Sequence, residues 1–305
     1  MNVSVSVEHI REAASTIDPV FLHTPQFVCE PLASNLVLKV ETVNPIRSFK
    51  GRGTAYLLQG MSDVGELVCA SAGNFGQGMA YACRKRGVAL TVFAAQSANP
   101  LKIDRMRELG AKVELVAGDF DDAKEAARNH GGTFIEDGLV GAIAEGAGTI
   151  GVELEKESLD AVFVPLGNGA LVNGVGTWLK HRSATKVIAV CAAGAPSMAL
   201  SWRARKPITA PSDTIADGIA VRVPIPEAVR IMEDTVDDVM LASEDEMLAA
   251  MRDLFYKTGL IVEPAGAAGV AAFARRREEF AGKRVGAILT GGNLTEQQIR
   301  QWVLR

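Results

Sequence analysis

The chain has 305 residues, 48% hydrophobic and 22% charged, with a formal net charge of −4. That length suits two domains with large buried cores, and the composition is that of an ordinary globular protein. The mild negative charge gives no reason to expect nucleic acid or an anionic membrane surface as a partner. No apolar stretch is long enough to span a bilayer, and the opening residues lack a basic-then-apolar leader, so a cytoplasmic protein is expected. Cys29, Cys69, Cys83 and Cys191 have no metal-type spacing and read as buried reduced thiols.

Strand-like and helix-like segments alternate. Leu36–Val40 is β-rich. Residues 65–70 lead into a strand, and Asn74–Arg86 reads as a helix with basic residues in its last turn and Gly87 beyond it. Residues 89–94 form the next strand. Asn99 caps and Pro100 opens a helix that stops at Gly110. Lys112–Val116 is a strand, and 119–129 a helix with acids in its first turn. The nearly all-apolar Ala161–Pro165 suits a central parallel strand. Helix Ala170–Arg182 and a strand at 186–191 follow it. Ser243 and Glu246 form a capping box for a helix ending near Gly259, and 284–289 is a late strand. Pro207 and Pro211 mark 206–211 as a loop. The rhythm implies an α/β protein of two domains, each with a mostly parallel sheet flanked by helices. The stretch 136–148, with Gly138, Gly141, Gly146 and Gly148, is the expected crossing between them.

Four short runs carry chemistry. Lys50 lies in Asn44-Pro45-Ile46-Arg47-Ser48-Phe49-Lys50-Gly51-Arg52-Gly53, between a strand and a helix. A helix start does not favour a cation, so the amine there is more easily kept neutral, as carbonyl chemistry requires. Taken alone, it reads equally as a surface lysine. Gly167-Asn168-Gly169-Ala170 follows an apolar strand, and its small residues let helix-start amides approach an anion. It is a phosphate cradle or a plain strand-to-helix turn. It lacks the lysine and hydroxyl of a nucleotide P-loop. Neither it nor the run from Gly73 to Gly78 has the dinucleotide glycine pattern. Ser71-Ala72-Gly73-Asn74 offers amides and a hydroxyl to a substrate carboxylate, with Asn74 either capping the helix or donating to a phenolate oxygen. Thr290-Gly291-Gly292-Asn293 closes the last strand. Three of these runs end strands, where parallel α/β sheets gather ligands.

Together these residues resemble the fold-type II family of pyridoxal 5′-phosphate enzymes, the architecture of the tryptophan synthase β chain. The likeness is strongest to serine/threonine dehydratases, with serine racemases as near relatives. It runs from about Ile10 to Asn293. It includes Gly194-Ala195-Pro196-Ser197-Met198, Thr214-Ile215-Ala216-Asp217-Gly218 and Glu263-Pro264-Ala265-Gly266. By that resemblance Lys50 would carry the cofactor and act as general base, and Phe49 would pack beside the ring. Asn74 would bond the ring's 3′-oxygen. Gly167, Asn168, Gly169, Ala170 and Leu171 would bind the phosphate, and Thr290 would face the pyridine nitrogen. Ser71, Ala72, Gly73 and Asn74 would hold the amino acid substrate. Residues 1–41 and 138–305 would form a large cofactor-binding domain and 42–137 a smaller mobile one. The family habit is a homodimer.

The resemblance implies a lyase that performs α,β-elimination on a β-hydroxy amino acid of the L-threonine or L-serine type, releasing a 2-oxo acid and ammonia. Departures are Arg47 where glycine is usual, Phe75 where many relatives have histidine, and Ala192-Ala193 where some relatives ligate magnesium, so no metal is expected. Resembling racemases carry a serine at the position of Ala72, whose methyl has no transferable proton, and this favours elimination over racemisation. A β-replacement transferase is disfavoured because such relatives show a Ser-Val-Lys-Asp-Arg type run. A non-catalytic sensor on the same fold is disfavoured by intact Lys50 and Thr290.

Overall fold

The alternation of strand and helix resolves into two sheets in the computed structural model, which describes residues 4–62 and 64–305. The first three residues of the expected 1–41 segment, and residue 63 of the 42–137 segment, lie outside it. In chain order the strands are β1 (Gln26–Val28), β2 (Leu36–Val40), β3 (Leu67–Ala70), β4 (Leu90–Ala95), β5 (Lys112–Val116), β6 (Thr133–Phe134), β7 (Ala161–Pro165), β8 (Lys186–Ala192), β9 (Asp238–Ala242) and β10 (Val285–Leu289). The helices are α1 (Val7–Thr16), α2 (Lys50–Gln59), α3 (Asn74–Arg86), α4 (Pro100–Glu108), α5 (Phe120–Arg128), α6 (Gly141–Leu154), α7 (Ala170–Arg182), α8 (Ser197–Ala204), α9 (Pro226–Thr235), α10 (Glu244–Thr258) and α11 (Pro264–Arg275).

One sheet has six strands in the order β1-β2-β10-β7-β8-β9, and the other four in the order β5-β4-β3-β6. Every pairing is parallel except that of β1 with β2. Strands β2, β4, β7 and β10 are buried throughout, as helices on both faces require. Period-two alternation sorts β7 between two cores. Ala161 and Phe163 pack with residues of α10 and α11, while Val162 and Val164 pack with residues of α1, α6 and α7. In the smaller sheet Cys69 and Val92 face α3 and α4, while Val68 and Phe93 face α5.

The expected caps form. Asn99 Oδ1 accepts from the Leu101 amide with Pro100 opening α4, and Ser243 and Glu246 make a reciprocal box on α10. The glycine-rich 136–148 is mostly not a linker. Its residues from Gly141 onward are the first turns of α6, a helix buried between α2 and α7. Its glycines serve close approach. A Cβ on Gly146 would sit 2.6 Å from the Arg52 carbonyl oxygen, and one on Gly148 2.9 Å from that of Gly174. The turn at Gly138 has φ +91°, and the chain passes from the smaller sheet at β6 to the larger one at β7 across this span.

Candidate active site

The register of the two sheets brings the carboxyl ends of β2, β7 and β10 to one edge of the larger sheet, facing the carboxyl end of β3. Between them lies a cavity of about 590 Å³. Phe49, Lys50, Ser71, Ala72, Gly73, Asn74, Gly167, Asn168, Gly169, Leu171 and Thr290 all line it. Ala170 is packed into the neighbouring core, and its amide donates to Asn168 Oδ1.

The segment carrying Lys50 is stitched to the end of β10. Asn44 organises its first turn, accepting from the Ile46 and Ser48 amides and donating to the Glu41 and Ser48 carbonyls. Ser48 bridges Gly291, the Phe49 amide donates to the Thr290 carbonyl, and the Gly292 amide donates to that of Arg47. Lys50 then becomes the first residue of α2. Arg47 is exposed and left-handed, with φ 51°. An L side chain in that region costs about 1–2 kcal/mol, which glycine would avoid. Arg47→Gly is expected to keep stability or raise it by up to about 1 kcal/mol, glycine's looser unfolded chain offsetting part of the gain. Arg47→Val is expected to lower it by more than about 1 kcal/mol. Urea midpoints read both.

The Lys50 amine has three neighbours. Its Nζ lies 4.9 Å from the Phe49 ring centroid and 6.0 Å from that of Phe75. It donates to Asp137 Oδ2 at 2.5 Å. The helix start is therefore not the amine's only electrostatic environment, as the sequence suggested; a carboxylate opposes it. Phe75 is buried and lines the cavity, an apolar wall beside the amine.

At the end of β3, Ser71 caps α3. Its Oγ accepts from the amides of Gly73 (3.2 Å) and Gly76 (2.8 Å). Asn74 is not the cap. It is the first helical residue, one position too late to reach those amides. Its side chain turns to the cavity floor. There Nδ2 donates to Glu263 Oε1 at 2.6 Å, and Oδ1 accepts from Asn293 Nδ2 at 2.9 Å. At the end of β7, Gly169 takes φ +100°, which turns the chain into α7, whose N-terminal end borders the cavity.

Sequence reasoning missed a second amine. Lys102 of α4 is 2% exposed and lines the cavity, with Nζ 2.6 Å from Asp217 Oδ2 and 3.4 Å from Glu263 Oε2. Burial works to lower its pKa, but the two carboxylates outweigh burial and hold it above the ordinary lysine value. Burial pushes Glu263 up, helped by Asp217 and opposed by Lys102. Nothing in Pro100-Leu101-Lys102-Ile103-Asp104 distinguishes this lysine from a surface one. Asp217 and Glu263 fell within runs noted only for likeness.

The arrangement fits a phosphorylated pyridine aldehyde. The cavity lies in the size range of cofactor sites. One side presents an amine near two rings, and another the dipole end of a helix with small residues in front. Gly167 admits no side chain, since a Cβ would lie 2.8 Å from the Gly218 carbonyl. Three lysines line the cavity: Lys102 is held by two carboxylates, Lys124 pairs with Glu136, and Lys50 lies beside the Phe49 and Phe75 rings with Asp137 opposite.

The comparisons agree with this geometry. The family model described as "Pyridoxal-phosphate dependent enzyme" matches residues 18–291. The chain is 35% identical over 293 residues to an L-threonine ammonia-lyase of Geobacter sulfurreducens, covering 91% of this chain and 72% of that one. Its structure resembles the processed form of threonine deaminase isoform 2 from Solanum lycopersicum, with TM-score 0.89 and 28% identity over 99% of this chain and 89% of that one. It also resembles maize serine racemase, with TM-score 0.91 and 25% identity over 97% of this chain and 96% of that one. A lysine-bearing cavity at strand ends and a family match over most of its length lead to one conclusion: the chain belongs to the pyridoxal-phosphate dependent enzymes.

Proposed function

We propose that the protein is an ammonia-lyase that removes the hydroxyl from a β-hydroxy amino acid of the L-threonine or L-serine type, giving a 2-oxo acid and ammonia. The observation that carries this reading is the Lys50 amine opening into the same cavity as the Ser71–Asn74 turn. The amides of that turn and of the α3 start would hold the substrate carboxylate. Asn74, fixed by Glu263 and Asn293, would hold the cofactor ring's oxygen. Phe49 would pack on the ring, the loop at 167–171 would hold the phosphate, and Thr290 would meet the ring nitrogen. The cofactor, when bound, withdraws electrons from the substrate Cα. Lys50 would take the Cα proton. A neutral hydroxyl such as Thr290 does not force a proton onto the ring nitrogen, which suits prompt loss of a β-substituent.

The named relatives support an ammonia-lyase. The racemase likeness meets Ala72 in the wall, a side chain with no proton to return. We take residues 42–137 to close as a smaller domain over the segment at 1–41 and 138–305. Arg222 on one side of the cavity mouth pairs with Asp121 on the other, which supports such closure. Four free buried cysteines suit a reducing cytoplasm, and family habit suggests a homodimer. Among the described residues, no helix is long and apolar enough to cross a membrane.

The test is a panel of β-hydroxy amino acids assayed with loaded protein. Ammonia and 2-oxo acid from L-threonine or L-serine are expected. D-isomer with little ammonia would replace the reading with racemisation. A sulfur-containing product from sulfide and O-acetyl-L-serine, without ammonia release from the hydroxy acids, would replace it with β-replacement.

A further inference from the structure

Asp137 puts a carboxylate into the cavity that neither the sequence motifs nor the reaction above use. It sits in the turn between β6 and α6, packed against Asn168 and Ile225: a Cβ on Gly138 would come within 2.7 Å of Ile225 Cδ1 and 3.1 Å of Asn168 Cγ. Oδ2 accepts from Lys50 Nζ at 2.5 Å. Oδ1 is buried and has no hydrogen-bond partner among the described residues. An orphaned buried carboxylate oxygen is costly unless a ligand supplies its donor.

The rest of the lining makes the local field negative. Among the described residues, six acids line the cavity against four bases. Each of those bases is engaged: Lys102 by Asp217 and Glu263, Lys124 by Glu136, Arg222 by Asp121, and Lys50 by Asp137 itself. Arg47, close to Lys50 in sequence, is exposed and does not line the cavity. No lining cation is left over to receive a carboxylate on a substrate's side chain.

We propose that Asp137 sets which side chain the substrate carries: it admits a neutral, hydrogen-donating group on Cβ and rejects a carboxylate there. This deepens the elimination reading and rests on it for the placement of the substrate. Lys50 must approach the substrate Cα to within about 3.5 Å to take its proton. Oδ2 lies 2.5 Å from that nitrogen, so it stands no more than about 6 Å from Cα. A β-hydroxyl reaching Oδ1 gives the orphan a hydrogen bond, with no proton changing hands. A β-carboxylate brings a second negative charge into a partly closed cavity, where screening is weak. Asp137 is thus a specificity residue, and Lys50 remains the base.

The test uses loaded protein and two amino acids of one shape that differ in side-chain charge, L-asparagine and L-aspartate. Neither has a β-hydroxyl to lose. Dissociation constants are read from the change each causes in the cofactor's visible absorbance. Wild type is expected to bind L-asparagine at least about 10-fold more tightly than L-aspartate. In Asp137→Asn that ratio is expected to fall below about threefold, whereas Asp137→Glu, which keeps the charge, is expected to retain it. If Asp137→Asn does not fold, Asp137→Ser takes its place with the same expectation. In turnover, kcat/KM for threo-3-hydroxy-L-aspartate relative to L-threonine is expected to rise at least about 10-fold in Asp137→Asn. Wild-type affinities that do not differ, or a preference that persists in Asp137→Asn, would overturn the proposal. A merely structural role would weaken both ligands together and leave their ratio unchanged. If wild type shows the preference but releases no ammonia from L-threonine or L-serine, the elimination reading fails while the binding ratio still upholds the role of Asp137.

Discussion

Lys50→Ala is expected to lower kcat/KM for ammonia release from a β-hydroxy amino acid by at least about 10³-fold, because the substitution removes the group that would both carry the cofactor and take the Cα proton. Lys102 cannot replace it, although it opens into the same cavity. Its ammonium is fixed between Asp217 and Glu263 and is held above its ordinary pKa, so at neutral pH it has no free electron pair to offer. The fold should survive the change. The Lys50 side chain is at the cavity surface, and its polar contact is the Asp137 carboxylate. A thermal midpoint near wild type, together with lost ammonia release, is the expected pair of readings.

Arg52→Leu is expected to destabilise the protein by about 3–5 kcal/mol, because it breaks a buried ion network from one side. Arg52 has no exposed surface. Its Nε and one terminal nitrogen grip Glu41 at 2.8 and 2.9 Å, and its two terminal nitrogens reach Glu153 at 2.7 and 2.9 Å. Thr24 and Thr149 take further donors. Lys39 joins from β2, donating to Glu153 and to the Thr24 carbonyl. Without the guanidinium, two buried carboxylates share one ammonium. The thermal midpoint should fall on the order of 10 °C. Arg52→Lys should fall in between, keeping the charge but losing the fork.

The same network makes the protein acid-sensitive. Burial alone would raise the Glu153 pKa, but Arg52 and Lys39 outweigh it and hold it at about 2, against an ordinary 4.5. A depressed carboxylate stabilises the fold above its unfolded pKa. The contribution, about 3 kcal/mol, is complete above about pH 4.5 and lost as pH falls toward about 2. Because Arg52 lies two residues beyond Lys50 on α2, loosening this network should also cost activity before the protein unfolds.

What was legible in the sequence was local. Helices Asn74–Arg86 and Ala170–Arg182, and strands Leu36–Val40 and Ala161–Pro165, emerged with the bounds their patterns implied, because period, caps and terminal glycines are written within each segment. The motif residues could be gathered because parallel sheets place strand ends together. The illegible parts were long-range. Lys102 meets Asp217 and Glu263 across more than a hundred residues, Asp137 meets Lys50 across 87, and the Arg52 network joins three separate stretches. The α6 glycines, too, have a long-range reason. In α6 they permit contact with other helices, which local composition cannot distinguish from a turn. The two-residue β6 is too short to carry any period.

The most direct test is borohydride reduction of cofactor-loaded protein, followed by mass mapping of its peptides. Lys50 is predicted to carry the pyridoxyl mass, with Lys102 unmodified. A label on Lys102, or no labelled lysine in protein that retains cofactor, would contradict the assignment of Lys50 as the reacting amine.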